Sequence, residues 1–299
     1  MNRKTFILSA MGIATASAVT ALKSLSEKLP EQDIKMPFLF VGHGSPMNAI
    51  EDNEFSQRWK QMGQEIPRPK AVICVSAHWL TNGLFITAMN QPKTIHDFGG
   101  FPKELFNTQY PAPGNPQLAG ETKQLLQPFQ AELDHDWGLD HGTWSVVKNM
   151  YPDADIPVLQ LSINYSKPAS YHYEIGKYLG SLRKKGVLII GSGNMVHNLG
   201  MIGAPPGQSF SFDHINQEFG YDWALEINGL FKKFIQERNH QALINYNSIH
   251  KSIAYAIPSP DHYFPLLYAL GMQEQNDDAF IFNDKAIAGS LTMTSVKFG

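Results

Sequence analysis

Phe38-Leu39-Phe40-Val41-Gly42-His43-Gly44-Ser45-Pro46 is the stretch on which the reading of this chain turns. Its four continuous apolar residues need cover on both faces, which a strand receives inside an α/β sheet. The glycines that follow let the backbone turn sharply and leave an imidazole beyond the strand end. Three other runs share the apolar half of this pattern: Val72-Ile73-Cys74-Val75, Val158-Leu159-Gln160-Leu161 and Val187-Leu188-Ile189-Ile190. Longer segments of helical period separate them. The expected fold is therefore α/β, a single domain with a central, mostly parallel or mixed sheet flanked by helices. Ser170 to Lys185 reads as one such helix, with Arg183-Lys184-Lys185 near its negative end and Gly186 where a left-handed cap would sit.

Two of those runs are also followed by a histidine. His78 comes just after the strand ending at Val75, in Ser76-Ala77-His78-Trp79, and His197 follows Gly191-Ser192-Gly193-Asn194 in Met195-Val196-His197-Asn198. Open α/β sheets bind ligands outside the carboxyl ends of their strands, so three loops would converge there. His262 arrives differently, in Pro258-Ser259-Pro260-Asp261-His262-Tyr263, and reads as the first turn of a helix running through Leu266 to Leu270. Each histidine alone would be read as a hydrogen-bonded core group. Their joint placement points to a divalent metal on His43, His78, His262 and, as a fourth ligand or as an acid/base, His197. Several imidazoles with open positions make a catalytic rather than a structural site. His141, in Gly138-Leu139-Asp140-His141-Gly142, reads as a base beside the metal or facing the substrate, with Asp140 as its neighbour. His96, His135, His172, His214, His240 and His250 read as surface residues.

The bulk numbers agree with a globular enzyme. A chain of 299 residues with 43% hydrophobic content can bury a substantial core. Lys+Arg 24 against Asp+Glu 27, with no basic stripe, argues against nucleic acid as a partner. The single cysteine, Cys74, allows neither an internal disulfide nor a thiolate zinc cluster, which leaves the 11 histidines to supply metal ligands. No Walker-type phosphate loop, no G-x-G-x-x-G after a first strand and no nucleophile elbow is present. Two long irregular stretches, Gln91 to Pro116 and Gly200 to Asp213, are dense in Gly and Pro. The aromatics of the first are expected to wall a pocket or to tuck onto the core.

Residues 1–35 differ from the rest. Asn2-Arg3-Lys4, then Phe6-Ile7-Leu8 and a weakly apolar stretch up to Leu22, resemble a bacterial export leader, and Arg3-Lys4-Thr5-Phe6-Ile7 looks like a relaxed twin-arginine signal. The expected location is periplasmic, the alternative being a frayed tail on a cytoplasmic enzyme. No other run approaches the roughly twenty apolar residues that span a bilayer. Residues 36–299 form the expected catalytic domain, and the sequence sets no oligomeric state.

Taken in order, His43-Gly44-Ser45-Pro46, Ser76-Ala77-His78-Trp79, the Thr94 to Gly114 loop, Asp140-His141-Gly142, Gly193-Asn194-Met195-Val196-His197-Asn198 and Asp261-His262-Tyr263 resemble the motifs of the 4,5-DOPA extradiol dioxygenase family. This is a branch of the class III, LigB-type extradiol dioxygenases, and the likeness runs from about Met36 to the C-terminus. The resemblance implies a mononuclear metal at the mouth of a sheet and opening of L-DOPA-like catechols by O2. By motif, His43, His78 and His262 match metal ligands, His197 a fourth ligand or the acid/base, and His141 a substrate-side histidine. The better-known class III site uses two histidines and a carboxylate. A third histidine in place of the carboxylate tilts affinity toward Zn2+ as isolated, with Fe2+ needed for dioxygenase activity. The competing readings are a zinc hydrolase on the same scaffold and a non-catalytic metal-binding protein of the Memo type.

Overall fold

The apolar runs become the centre of a mixed sheet. The computed structural model describes residues 35–212 and 215–299; the leader-like residues up to Leu22, the linker Glu27 to Asp33 and His214 lie outside them. The strands are β1 (Phe38–Gly42), β2 (Ala71–Thr81), β3 (Phe85–Thr87), β4 (Glu132–Asp134), β5 (Val158–Asn164), β6 (Val187–Gly193), β7 (Ala279–Phe282), β8 (Ala286–Ile287), β9 (Leu291–Thr292) and β10 (Ser295–Phe298). Eight of them form one sheet in the order β4-β3-β5-β2-β6-β1-β10-β7, and β8 pairs with β9 apart from it. β5, β2, β6 and β1 are parallel neighbours, whereas β3 against β5, β1 against β10 and β10 against β7 run antiparallel. All residues of β1, β5 and β6 are buried, as expected of strands covered on both faces.

Alternation sorts the side chains between two helical layers. Leu39, Val41, Val72, Cys74, Val158, Leu188 and Ile190 share one core with Phe55, Trp59 and Met62 of the helix Glu54–Glu65 and with Trp144, Val147 and Met150 of the helix His141–Met150. Asn53 begins the first of these helices with a reciprocal cap: its side chain accepts from the Ser56 amide and the Ser56 hydroxyl accepts from the Asn53 amide, both at 3.0 Å. The helix Phe264–Met272 lies on the opposite face, where the Pro265 backbone comes up to Gly191 and the His262 carbonyl just before the helix comes up to Gly193. Every residue of that helix is buried, so it is apolar all round rather than striped. Among the described residues no helix is long and apolar enough to cross a membrane.

Three details differ from the sequence expectation. The Ser170 to Lys185 segment is α-helical over Ala169–Leu179 and tightens to a 3-10 helix over Gly180–Lys185, a change that begins at a glycine, the weakest helix former after proline. Gly186 does adopt the left-handed cap, with φ 80°. The Gln91 to Pro116 stretch contains a short helix, Lys103–Asn107. Arg183, read from sequence only as a cation near the helix's negative end, is fully buried: its guanidinium forms a fork with Asp277 at 2.6 and 2.8 Å and lies 4.5 Å over the Phe38 ring.

His172 is also not a surface residue. It is fully buried, its Nδ1 is 2.9 Å from the Tyr268 hydroxyl, and its ring stacks on Phe264. Burial pushes its pKa down to about 4 against a backbone hydrogen bond that works the other way. The unfolded chain, with an ordinary value of 6.5, therefore binds the proton better. The neutral ring's stabilisation is complete above about pH 6.5 and is lost as the pH falls toward about 4. In metal-free protein, His172→Phe should flatten the acid limb of stability by roughly 2–3 kcal/mol between pH 7 and 4.5, measured by urea unfolding.

Candidate metal centre

Adjacent carboxyl ends of β1 and β6 bring the first histidine into place. Gly42 pairs with Gly193 in the parallel ladder, and the His43 amide donates to the Gly193 carbonyl at 3.1 Å. The buried His43 ring has Nδ1 3.0 Å from the Ser192 hydroxyl, which itself donates a short hydrogen bond to the Gly142 carbonyl. Because that hydroxyl proton is committed, Ser192 accepts from His43 and the Nε2 lone pair of His43 is left facing outward. His78 is not beyond its strand but inside β2, where the register with β5 shifts between Val75 and Leu80. This irregularity re-aims the side chain, as bulges beside functional sites do. His262 precedes the helix Phe264–Met272 rather than forming its first turn. Its carbonyl accepts from the Asn194 amide at 2.9 Å, and its Nδ1 makes a short contact with the Asp261 carboxylate.

His43, His78 and His262 meet. Their ring centroids are 5.0, 5.2 and 5.0 Å apart, and one nitrogen from each lies within 4.8 Å of the others. The Nε2 atoms of His43 and His78 are 3.1 Å apart. Burial first, and then the neighbouring imidazoles, hold the pKa values of His43 and His78 well below the ordinary histidine range, so both rings are neutral at pH 7. Neutral imidazole is the form that ligates a metal cation. The donor set thus fits a borderline divalent metal.

His197 stands beside this group. Its ring stacks on His262 with centroids 3.5 Å apart and planes 4° from parallel, and burial leads the lowering of its pKa. Lone pairs of imidazole lie in the ring plane, so two parallel rings cannot direct them at one point. His197 is held by its amide on the Ala256 carbonyl, 2.9 Å away.

His141 opens the helix His141–Met150, with its ring 3.9 Å from that of His78. The expected partner Asp140 is engaged elsewhere: it caps the helix, accepts from Ser76 at 2.7 Å and from Gln160 at 2.7 Å, and is fully buried. The carboxylate on His141 is instead Asp97, 2.9 Å from Nδ1 and, through its other oxygen, 2.9 Å from the His141 amide. Asp97 also lies 3.3 Å from His78 Nδ1. Phe98, next in sequence, packs edge-on against His141 and continues into Phe101, Phe106 and Trp144, an aromatic wall beside the imidazoles. Tyr110 is not part of that wall: it is buried in the core with its hydroxyl on the Tyr151 carbonyl.

Asp97, Ser192 and Asp261 were not singled out by sequence reading. Only Asp261 carried a usable signal, its adjacency to His262. Of the remaining histidines His135 is exposed, while His96, His240 and His250 are half-buried, His96 within 2.9 Å of the Thr108 carbonyl.

Residues 37–296 match the family described as the catalytic LigB subunit of aromatic ring-opening dioxygenase. The chain is 45% identical over 269 residues to the 4,5-DOPA dioxygenase extradiol of Escherichia coli (strain K12), covering 89% of this chain and 95% of that protein. A protein of the same name from Beta vulgaris is 34% identical over 274 residues, 90% of this chain and 98% of its own length. A crystal structure of an uncharacterised protein from Escherichia coli K12 superposes with a TM-score of 0.75 at 40% identity, covering 89% of this chain and 100% of that one.

Proposed function

The chain belongs to the family of the catalytic LigB subunit of aromatic ring-opening dioxygenases, and from that premise we propose that it opens L-DOPA-like catechols with O2 beside the two hydroxyls. It is a metal-using extradiol dioxygenase, an oxidoreductase. The hydrolase and Memo-type alternatives are not favoured, since the named relatives are dioxygenases. The observation that carries the assignment of the site is the convergence of three imidazole nitrogens from the end of β1, from β2 and from the segment before Phe264.

In this reading His43, His78 and His262 hold one divalent metal. When bound, the metal supplies chelation of the adjacent hydroxyls and, as ferrous iron, a path for electron density from catecholate to dioxygen. The protein does the rest. His197, neutral and stacked on His262, takes the catechol's second proton and returns it as the ring opens, the role that a parallel ring suits better than ligation. His141 presents Nε2 to the substrate, because Nδ1 is committed to Asp97. The Phe98 wall packs the aromatic ring and excludes water.

An all-imidazole set favours zinc over ferrous iron. Protein purified in air should therefore carry zinc and be inactive on catechols, and anaerobic loading with ferrous iron should yield O2 uptake and a yellow ring-opened product from L-DOPA. Metal analysis and absorbance spectra measure both. Iron-loaded protein that consumes no O2 with any catechol would count against the substrate class.

A further inference from the structure

We propose that Asp97 is a positioning residue that sets the tautomers of two imidazoles at once, the metal-binding His78 and the substrate-facing His141. The proposal rests on the metal and substrate reading above. Its carboxylate reaches three groups: the His141 amide at 2.9 Å through Oδ1, and His141 Nδ1 at 2.9 Å and His78 Nδ1 at 3.3 Å through Oδ2. An ionised carboxylate only accepts hydrogen bonds. His141, which is hydrogen-bonded to it, then carries the proton on Nδ1 and the lone pair on Nε2, and the 3.3 Å contact biases His78 toward the same form. For His78 that lone pair faces His43 Nε2. For His141 it is left for a substrate hydroxyl.

The carboxyl is built to stay ionised and in place. The carboxylate accepts two hydrogen bonds from His141, one through each oxygen, and its side chain is only 17% exposed. Its segment is stitched to the one that carries His141. Ile95 donates to the Leu139 carbonyl at 2.7 Å, Leu139 donates to the Lys93 carbonyl at 2.8 Å, and the Trp144 indole donates to the Ile95 carbonyl at 2.9 Å. Gly138 makes this approach possible: its φ is +149° and a Cβ there would lie 2.4 Å from the Lys93 carbonyl oxygen. Asp140, the carboxylate next to His141 in sequence, is turned toward Ser76 and Gln160 instead.

The test is Asp97→Asn in the full-length protein, with His141→Ala as the control, read by zinc affinity in chelator competition and by 15N-histidine NMR of ring tautomers. Loss of an outer carboxylate on a ligating imidazole lowers metal affinity by about 10–100-fold. The expected result is that drop in Asp97→Asn, unchanged zinc affinity in His141→Ala, and a shift of the His78 and His141 signals away from the Nδ1–H form in Asp97→Asn. Wild-type zinc affinity, or both tautomers retained, in Asp97→Asn overturns the proposal. Should that variant not fold, Asp97→Ser is read in the same way. Neither readout needs ring cleavage, so an inactive enzyme with responsive tautomers would refute the substrate reading and leave this one standing.

Discussion

Replacing His43 or His262 with alanine abolishes stoichiometric metal binding and lowers the kcat/KM of the iron-loaded enzyme by at least about a thousandfold, some 4 kcal/mol of transition-state stabilisation. The expectation follows from the donor count. With one of three converging imidazoles gone, only two remain to hold the ion. His141→Ala behaves differently: it removes a ring that is paired with Asp97, keeps the metal, and slows turnover by the 10²–10⁴-fold typical of a lost acid/base group. Elemental analysis after gel filtration, beside initial rates of O2 uptake, separates the two classes. Full metal content in both His43→Ala and His262→Ala would refute the ligand assignment.

The second large effect concerns stability. Asp277→Ala should destabilise the fold by about 3–5 kcal/mol and lower Tm by roughly 10 °C, because it strands the Arg183 guanidinium in the interior. That guanidinium is fully buried, and besides the Asp277 fork it donates to the Met36 carbonyl at 2.8 Å. Burial alone would raise the Asp277 pKa. Hydrogen bonding from Arg183, from the Glu274 amide and from Lys35, with the Arg183 charge, brings it down to about 2. A folded value below the unfolded 3.8 contributes stability above about pH 4 that is lost as the pH falls toward 2. Calorimetry of wild type and variant at pH 7 measures the full effect, and the gap should narrow toward pH 2. Replacing both partners, as in Arg183→Met with Asp277→Leu, should recover much of the loss, since a matched apolar pair leaves no orphaned charge.

The central strands were legible because their signal is local. Four apolar residues in a row at Phe38, Val72 and Val187, and at Val158 a run broken only by Gln160, state that both faces are covered, whatever lies far along the chain. The imidazoles of His43, His78 and His262 were legible for a related reason: strand ends and helix starts of an α/β sheet gather at one edge. Their exact settings were not. His78 lies inside β2 because an irregularity lengthens the strand, and His262 sits ahead of its helix because Pro265, not Pro260, occupies the opening turn. His172 looked solvent-facing amid Tyr171, Tyr173 and Glu174, yet its helical face turns inward onto Phe264.

From residue order alone came the α/β class, the parallel centre of the sheet and the set of histidines that would gather at its edge. The tertiary structure decided which charged group serves which: Asp97 rather than Asp140 for His141, across 44 positions, and Asp277 for Arg183, across 94. The reason is physical. Side-chain periodicity is written into neighbouring residues by backbone geometry, whereas a buried charge takes whichever partner the folded chain brings within about 3 Å, and adjacency in sequence does not bring groups that close when each belongs to a different hydrogen-bond network.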